Sequence, residues 1–266
     1  SITEIELPSS LTYLGSNSFD HCSEIKEIVI PLLVPEINTC NECANLAKVT
    51  MNYDTKIGEK AFKNTQLISL IIESQTPIEH FNSFIKETLE QVTIPSSIVS
   101  IGDKAFDSCS ALKRIDLPSS VRTIGDAFNG CSSLVEIPFE LVTEIGQYAF
   151  YNCETLESVK LSSARSIGSN TFEECKNLLN ITLSTYLEVI NESLFTDCKS
   201  LNEIKITSSI TEIGDYAFRG CSSLIKITLP ESVKSIGERA FYECTSLTDF
   251  SIKSVREIGK FAFYGC

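Results

Sequence analysis

Tryptophan is absent from this sequence, methionine occurs once, and histidine occurs twice, at His21 and His80. So few imidazoles leave little material for general acid–base catalysis. Basic residues are scarce too: 22 Lys and Arg face 35 Asp and Glu, a net charge of −13. An acidic chain without a Lys/Arg-rich run is poorly suited to polyanions, which argues against nucleic acid and anionic membrane as partners. No apolar run reaches the length of a spanning helix, so no direct membrane insertion is expected from this segment. A signal-peptide pattern is missing, because the chain opens at once on strand-like sequence, Ile2-x-x-Ile5-x-Leu7-Pro8. Glycine-rich phosphate loops, H-E-x-x-H and EF-hand spacings are also lacking.

What the chain does have is repetition. Cys221 to Cys244 reads CSSLIKITLPESVKSIGERAFYEC, with Leu224, Ile227, Leu229, Pro230, Val233, Ile236, Gly237, Ala240, Phe241 and Cys244 at positions that recur throughout. Phe19, Phe62, Phe84, Phe106, Phe128, Phe150, Phe172, Phe195, Phe218, Phe241 and Phe263 mark successive turns, with Cys40 in the Phe place. A period of 21–23 residues predicts a solenoid in which each turn buries its apolar face on the next. About twelve turns fill residues 1–266 as a single array, irregular at 31–90. Both ends are cut in mid-repeat, which points to a fragment of a longer protein.

Local patterns set further expectations. Alternation in L-x-x-I-x-L predicts one short strand per turn, opening at Ile2 in the first turn and at Leu134 in the seventh. Nine of twelve glycines follow an aliphatic residue at one place in the repeat, which predicts positive φ there. Asn191 stands in that place after Ile190, and in the short Cys40 turn Glu36 is aligned with it. The A-F-x-x-C part predicts mostly single helical or 3₁₀ turns. Thr76-Pro77-Ile78-Glu79 has capping-box form and predicts a true helix over 77–88.

The repeat, L-x-x-I-x-L-P followed by I-G-x-x-A-F-x-x-C, resembles the BspA-like class of leucine-rich repeats of bacterial and protist surface proteins. The resemblance covers nearly the whole chain and is closest from Leu89 to Cys266. It implies a leucine-rich-repeat solenoid with a parallel β-sheet on the concave face. It also implies a non-enzymatic binding or adhesion module without cofactors. Its partner would be a protein, of the host or the extracellular matrix, met at the cell surface or outside the cell; a cytoplasmic location stays open. The alternative is a structural spacer that carries a functional domain lying outside this segment.

Candidate chemistry reduces mostly to packing. Ten of the eleven cysteines share one place in the turn, which reads as a cysteine ladder of small buried hydrophobes filling a narrow corner. Cys40-Asn41-Glu42-Cys43 has C-x-x-C form, but a zinc site needs a second pair and the sequence supplies none. Asp20-His21-Cys22 holds the residue types of a nucleophilic triad, yet neighbours in one turn point apart. Asn180-Ile181-Thr182 and Asn191-Glu192-Ser193 fit the glycosylation pattern. Tyrosines beside the A-F segment are read as covers for neighbouring apolar groups. The outward third strand position supplies the candidate binding face. Its charged members are Glu4, Glu27, Lys48, Arg114, Glu136, Glu203, Lys226 and Asp249.

Overall fold

The computed structural model describes residues 2–52, 55–58, 61–73 and 88–266. Residues 77–87 of the expected 77–88 helix, His80 among them, lie outside the described residues. Elsewhere the chain winds into a stack of turns whose strands all pair in parallel.

Most turns carry two strands, not the one expected. The longer strands, of three to five residues, form a five-stranded sheet from Glu27–Val29, Lys48–Asn52, Ser69–Glu73, Gln91–Thr93 and Arg114–Asp116. They continue as the pair Ser158–Lys160 and Asn180–Thr182, then as Glu203–Lys205, Lys226–Thr228 and Asp249–Ser251. Two-residue strands form the second sheet just ahead of the glycine place. Ser100–Ile101, Thr123–Ile124, Glu144–Ile145 and Ser166–Ile167 make one block, and Val189–Ile190, Glu212–Ile213, Ser235–Ile236 and Glu257–Ile258 another. A polar–Ile pair is too short to show alternation, which is why this sheet escapes a pattern search.

Two expected long strands fail to form. Ile2–Pro8 keeps Ile5 and Leu7 half-buried but makes no strand. In the Leu134 turn only an isolated bridge joins Arg114 to Glu136. Pro138 follows there, and without an N–H it cannot continue the ladder.

The A-F-x-x-C part is neither helical nor 3₁₀ among the described residues. Left-handed residues stand two before and two after the phenylalanine: Tyr148 (φ 57°) and Asn152 (φ 56°), Asn170 and Glu174, Arg239 and Glu243. Alternating hand turns every second N–H toward the next turn. Tyr148, Phe150 and Asn152 donate to the carbonyls of Ser169, Thr171 and Glu173 at 3.1, 2.9 and 2.9 Å. A helical turn would direct those donors along its own axis and leave the inter-turn bonds unmade.

The glycine expectation is corrected as well. Only Gly130, Gly220 and Gly265 have positive φ, and none of them is the glycine after the aliphatic residue. That glycine is needed because the previous turn comes too close. A Cβ on Gly168 would lie 2.3 Å from the nitrogen and 2.5 Å from the Cα of Gln147. The residue aligned with Gly58 is Asn38, not Glu36, which sits in the strand Glu36–Ile37 instead. Asn191 is not left-handed either; its side-chain amide donates to the Ile167 carbonyl of the preceding turn.

Inside the coil, phenylalanines from Phe106 to Phe263 form an unbroken ring stack. Phe106–Phe128 and Phe128–Phe150 stand 5.3 Å apart, and Phe218–Phe241 5.2 Å. Leu, Ile and Val columns on both sheets complete one continuous core.

Candidate functional site

All eight charged residues expected on the binding face are exposed. The strand register places six of them in continuous columns. Glu27, Lys48, Ser69, Gln91 and Arg114 follow one another, with Glu136 bridged to Arg114. Glu203, Lys226 and Asp249 align in the last block. Glu4 lies ahead of the sheet, in the segment that forms no strand.

Charges on this face are largely matched within it. Lys48 Nζ lies 3.3 Å from Glu27, Lys226 Nζ 3.0 Å from Asp249, and Arg114 Nε 2.9 Å from Asp116 on the same strand. The hydrogen bond to Asp249 holds the Lys226 ammonium above the usual lysine range. Lys113 and Glu90 add a pair at 2.8 Å that the third-position reading overlooked, because both occupy the second place of the strand. Parallel stacking brings equivalent positions to strand-pair distance, so opposite charges in adjacent turns meet.

The cysteines have a role that hydrophobicity alone does not describe. Sγ of Cys131, Cys153, Cys175, Cys198, Cys221 and Cys244 donates to the carbonyl of the phenylalanine in the preceding turn, at 3.1–3.2 Å. Burial pushes the thiols of Cys153, Cys175, Cys198 and Cys221 well up, and Cys244 to about 12. Protonated, buried thiols are poor nucleophiles. None of the eleven is joined in a disulfide in the structure. In the Phe62 turn Thr65 takes the cysteine place, and its hydroxyl bonds the Phe62 carbonyl of its own turn at 2.7 Å.

The remaining motifs do not assemble. Asp20 Oδ1 accepts from the Asn41 amide at 3.1 Å, while His21 Nδ1 faces Glu42 at 3.0 Å across one turn. Cys22 takes no part in that pairing. Cys40 and Cys43 are fully buried, and Cys43 Sγ donates to the Phe19 carbonyl at 3.0 Å. Among the described residues no group of His, Cys, Asp or Glu converges as a metal site. Nor do the described residues contain a helix long and apolar enough to cross a membrane. Asn180 is exposed on its strand, whereas Asn191 is engaged with Ile167 and Ser193 is buried. Tyr148 packs edge-on against Tyr151, and Tyr242 stacks on Tyr264 at 5.0 Å.

The sequence matches the BspA type leucine-rich repeat region in six copies, over residues 1–87, 80–185 and 165–266. The chain belongs to the BspA-type leucine-rich repeat family. A leucine-rich repeat protein of Bacteroides ovatus is 30% identical, with a TM-score of 0.67; the match covers all of this chain and 76% of that one. A T. pallidum leucine-rich repeat protein is 26% identical with a TM-score of 0.50, over 83% of this chain and 91% of that one. No curated protein matches. The BspA-type assignment agrees with the stacked parallel coil and suggests a protein-binding surface module.

Proposed function

We propose that residues 1–266 form a single BspA-type array that acts as a non-enzymatic binding or adhesion module at the cell surface. Its long-strand face meets a protein of the host or the extracellular matrix, through Glu4, Glu27, Lys48, Arg114, Glu136, Glu203, Lys226 and Asp249. One observation carries the reading: the strand register lines up exposed side chains of successive turns over a backbone already hydrogen-bonded within the stack. Such a surface offers many modest contacts in place of one deep site, which suits multivalent attachment. Cell-surface placement rests on the family resemblance.

Binding to a panel of purified extracellular-matrix proteins tests this, comparing the wild type with the combined variant Glu4→Lys, Glu27→Lys, Lys226→Glu and Asp249→Lys. The expected result is a loss of about tenfold or more in affinity for the variant. Equal binding by both rejects the long-strand face. A second reading, a structural spacer, draws on the pairing of Glu27 with Lys48 and Lys226 with Asp249, which leaves those charges internally satisfied. Failure of the wild type to bind any panel member favours the spacer.

A further inference from the structure

One corner of the coil breaks the repeat in two ways at once. Between the aligned pairs Arg114–Glu136 and Ile124–Ile145 the earlier turn has one residue more than the later one. Leu117-Pro118-Ser119-Ser120-Val121 is followed in the next turn by Phe139-Glu140-Leu141-Val142. Val121 and Val142 both close their corners with a backbone bond three residues back, to Pro118 and Phe139. The shorter corner therefore cannot cover the longer one. A recess of about 150 Å³ opens between them, walled by Leu117, Val121, Pro138 and Leu141. The same long-to-short step recurs between Ile227–Ile236 and Phe250–Ile258, where a smaller recess of about 100 Å³ opens at Pro230 and Ile252. A short corner beside a longer one thus accompanies both recesses.

The first recess is joined to a polar one. Pro138 sits where other turns supply a strand residue, and with no N–H it leaves the ladder open beside Arg114–Asp116. Phe139 is buried edge-on against Phe150, with ring centroids 5.1 Å apart, and anchors this displaced segment in the core. A cleft of about 230 Å³ results, lined by Arg114, Asp116, Glu136, Glu140 and Lys160. Pro138 and Glu140 border both hollows, so one groove runs from apolar to charged. Arg114 is neutralised by Asp116 at 2.9 Å. Among the described residues Glu136 and Glu140 enter no ion pair, and with Lys160 at the rim one carboxylate is in excess.

We propose that this groove binds a protein segment presenting an aliphatic side chain next to a basic one. The aliphatic group fills the recess at Leu117, Val121 and Leu141, and the basic group reaches Glu136 and Glu140. A lysine suits the second position, since its methylene stem can lie along Pro138 while the ammonium meets the carboxylates. The inference rests on the binding-module reading and narrows it to one site and one ligand chemistry.

The test is an NMR titration of the isotope-labelled chain with blocked tetrapeptides. Gly-Leu-Lys-Gly is the probe, with Gly-Leu-Glu-Gly and Gly-Ser-Lys-Gly as controls. Gly-Leu-Lys-Gly should shift the amides of Arg114, Glu136 and Leu141 with a Kd on the order of 1 mM, as fits so small a ligand. Each control should bind about tenfold more weakly, one lacking the charge match and the other the apolar group. Glu136→Gln with Glu140→Gln, and separately Leu141→Ser, should weaken the Leu-Lys peptide by about fivefold or more. All three side chains are exposed, so the fold tolerates these changes. Equal binding of Gly-Leu-Glu-Gly, shifts confined to other turns, or no shift with any peptide each overturn the groove. The first two leave the binding-module reading standing, since the matrix-protein panel and its Glu27 and Asp249 reversals do not involve the groove. Equal matrix binding by the wild type and the charge-reversed variant, with intact peptide binding, has the opposite meaning: it rejects the contacts at Glu4, Glu27, Lys226 and Asp249 and keeps the groove.

Discussion

A methyl group added at Gly168 would press within 2.3 Å of the Gln147 amide nitrogen, a contact that backbone movement alone can relieve. Gly168→Ala should therefore cost about 2–3 kcal/mol, at the upper end for overpacking. Urea unfolding measures it, and a cost below about 0.5 kcal/mol would contradict the close-approach account. Asparagine is tolerated in the same place at Asn191 because its amide reaches the Ile167 carbonyl of the turn before. Cysteine follows a similar logic of neighbouring turns. Cys153 fills a closed corner and also donates to the Phe128 carbonyl at 3.2 Å. Cys153→Ser keeps a donor of nearly the same size, whereas Cys153→Ala abandons the buried carbonyl. Alanine should thus be the more destabilising by about 1 kcal/mol, read from paired urea curves. If serine proves the worse, the thiol matters mainly as a hydrophobe.

Among the elements, the ring stack and the left-handed turns do most to join successive coils. Phe150 stacks on Phe128 and Phe172 and meets the edge of Phe139. Phe263 stacks only on Phe241, with Phe250 tilted beside it, and is partly exposed. Phe150→Ala should cost about 3–5 kcal/mol and Phe263→Ala about 1–2 kcal/mol, since a cavity bounded on one side collapses more readily. Equal costs would show that stacking along the column contributes little. The turns that carry these rings read as helical in the sequence because A-F-x-x-C has helical spacing over four residues. The contrary signal lay in Asn17, Asn64, Asn152, Asn170 and Asp197, residue types that tolerate the left-handed region. Tyr148, Tyr216, Arg239 and Phe261 hide that signal, holding the same conformation without any local preference for it. At Tyr148, Tyr216 and Arg239 the inter-turn hydrogen bonds to the Ser169, Glu238 and Lys260 carbonyls impose the backbone.

Across the whole molecule, the buried thiols act together on pH dependence. Cys153, Cys175, Cys198 and Cys221 are fully buried, and desolvation raises each above its ordinary value. In the unfolded chain they lose protons near pH 8.5. Between that pH and their higher folded values only the unfolded state gives up protons. Their contribution is therefore complete below about pH 8.5 and is lost as pH rises, by about 1.4 kcal/mol per pH unit for each thiol. Urea midpoints taken from pH 7 to 10 should fall steeply, and replacing these four cysteines with serine should flatten the decline. A flat profile in the wild type would mean the thiols ionise equally in both states. At this scale the sequence by itself determined the solenoid, its period and its family, because Leu, Ile and Phe recur at fixed spacing and each must be buried by its neighbour. It also determined which charges share the third strand position, since period-2 alternation leaves no choice of face. Tertiary structure alone decided the second sheet, the reason for glycine, the hydrogen bond of each cysteine and the groove at Pro138. Each of these depends on how closely one turn approaches the next, a distance between residues more than twenty apart in the chain.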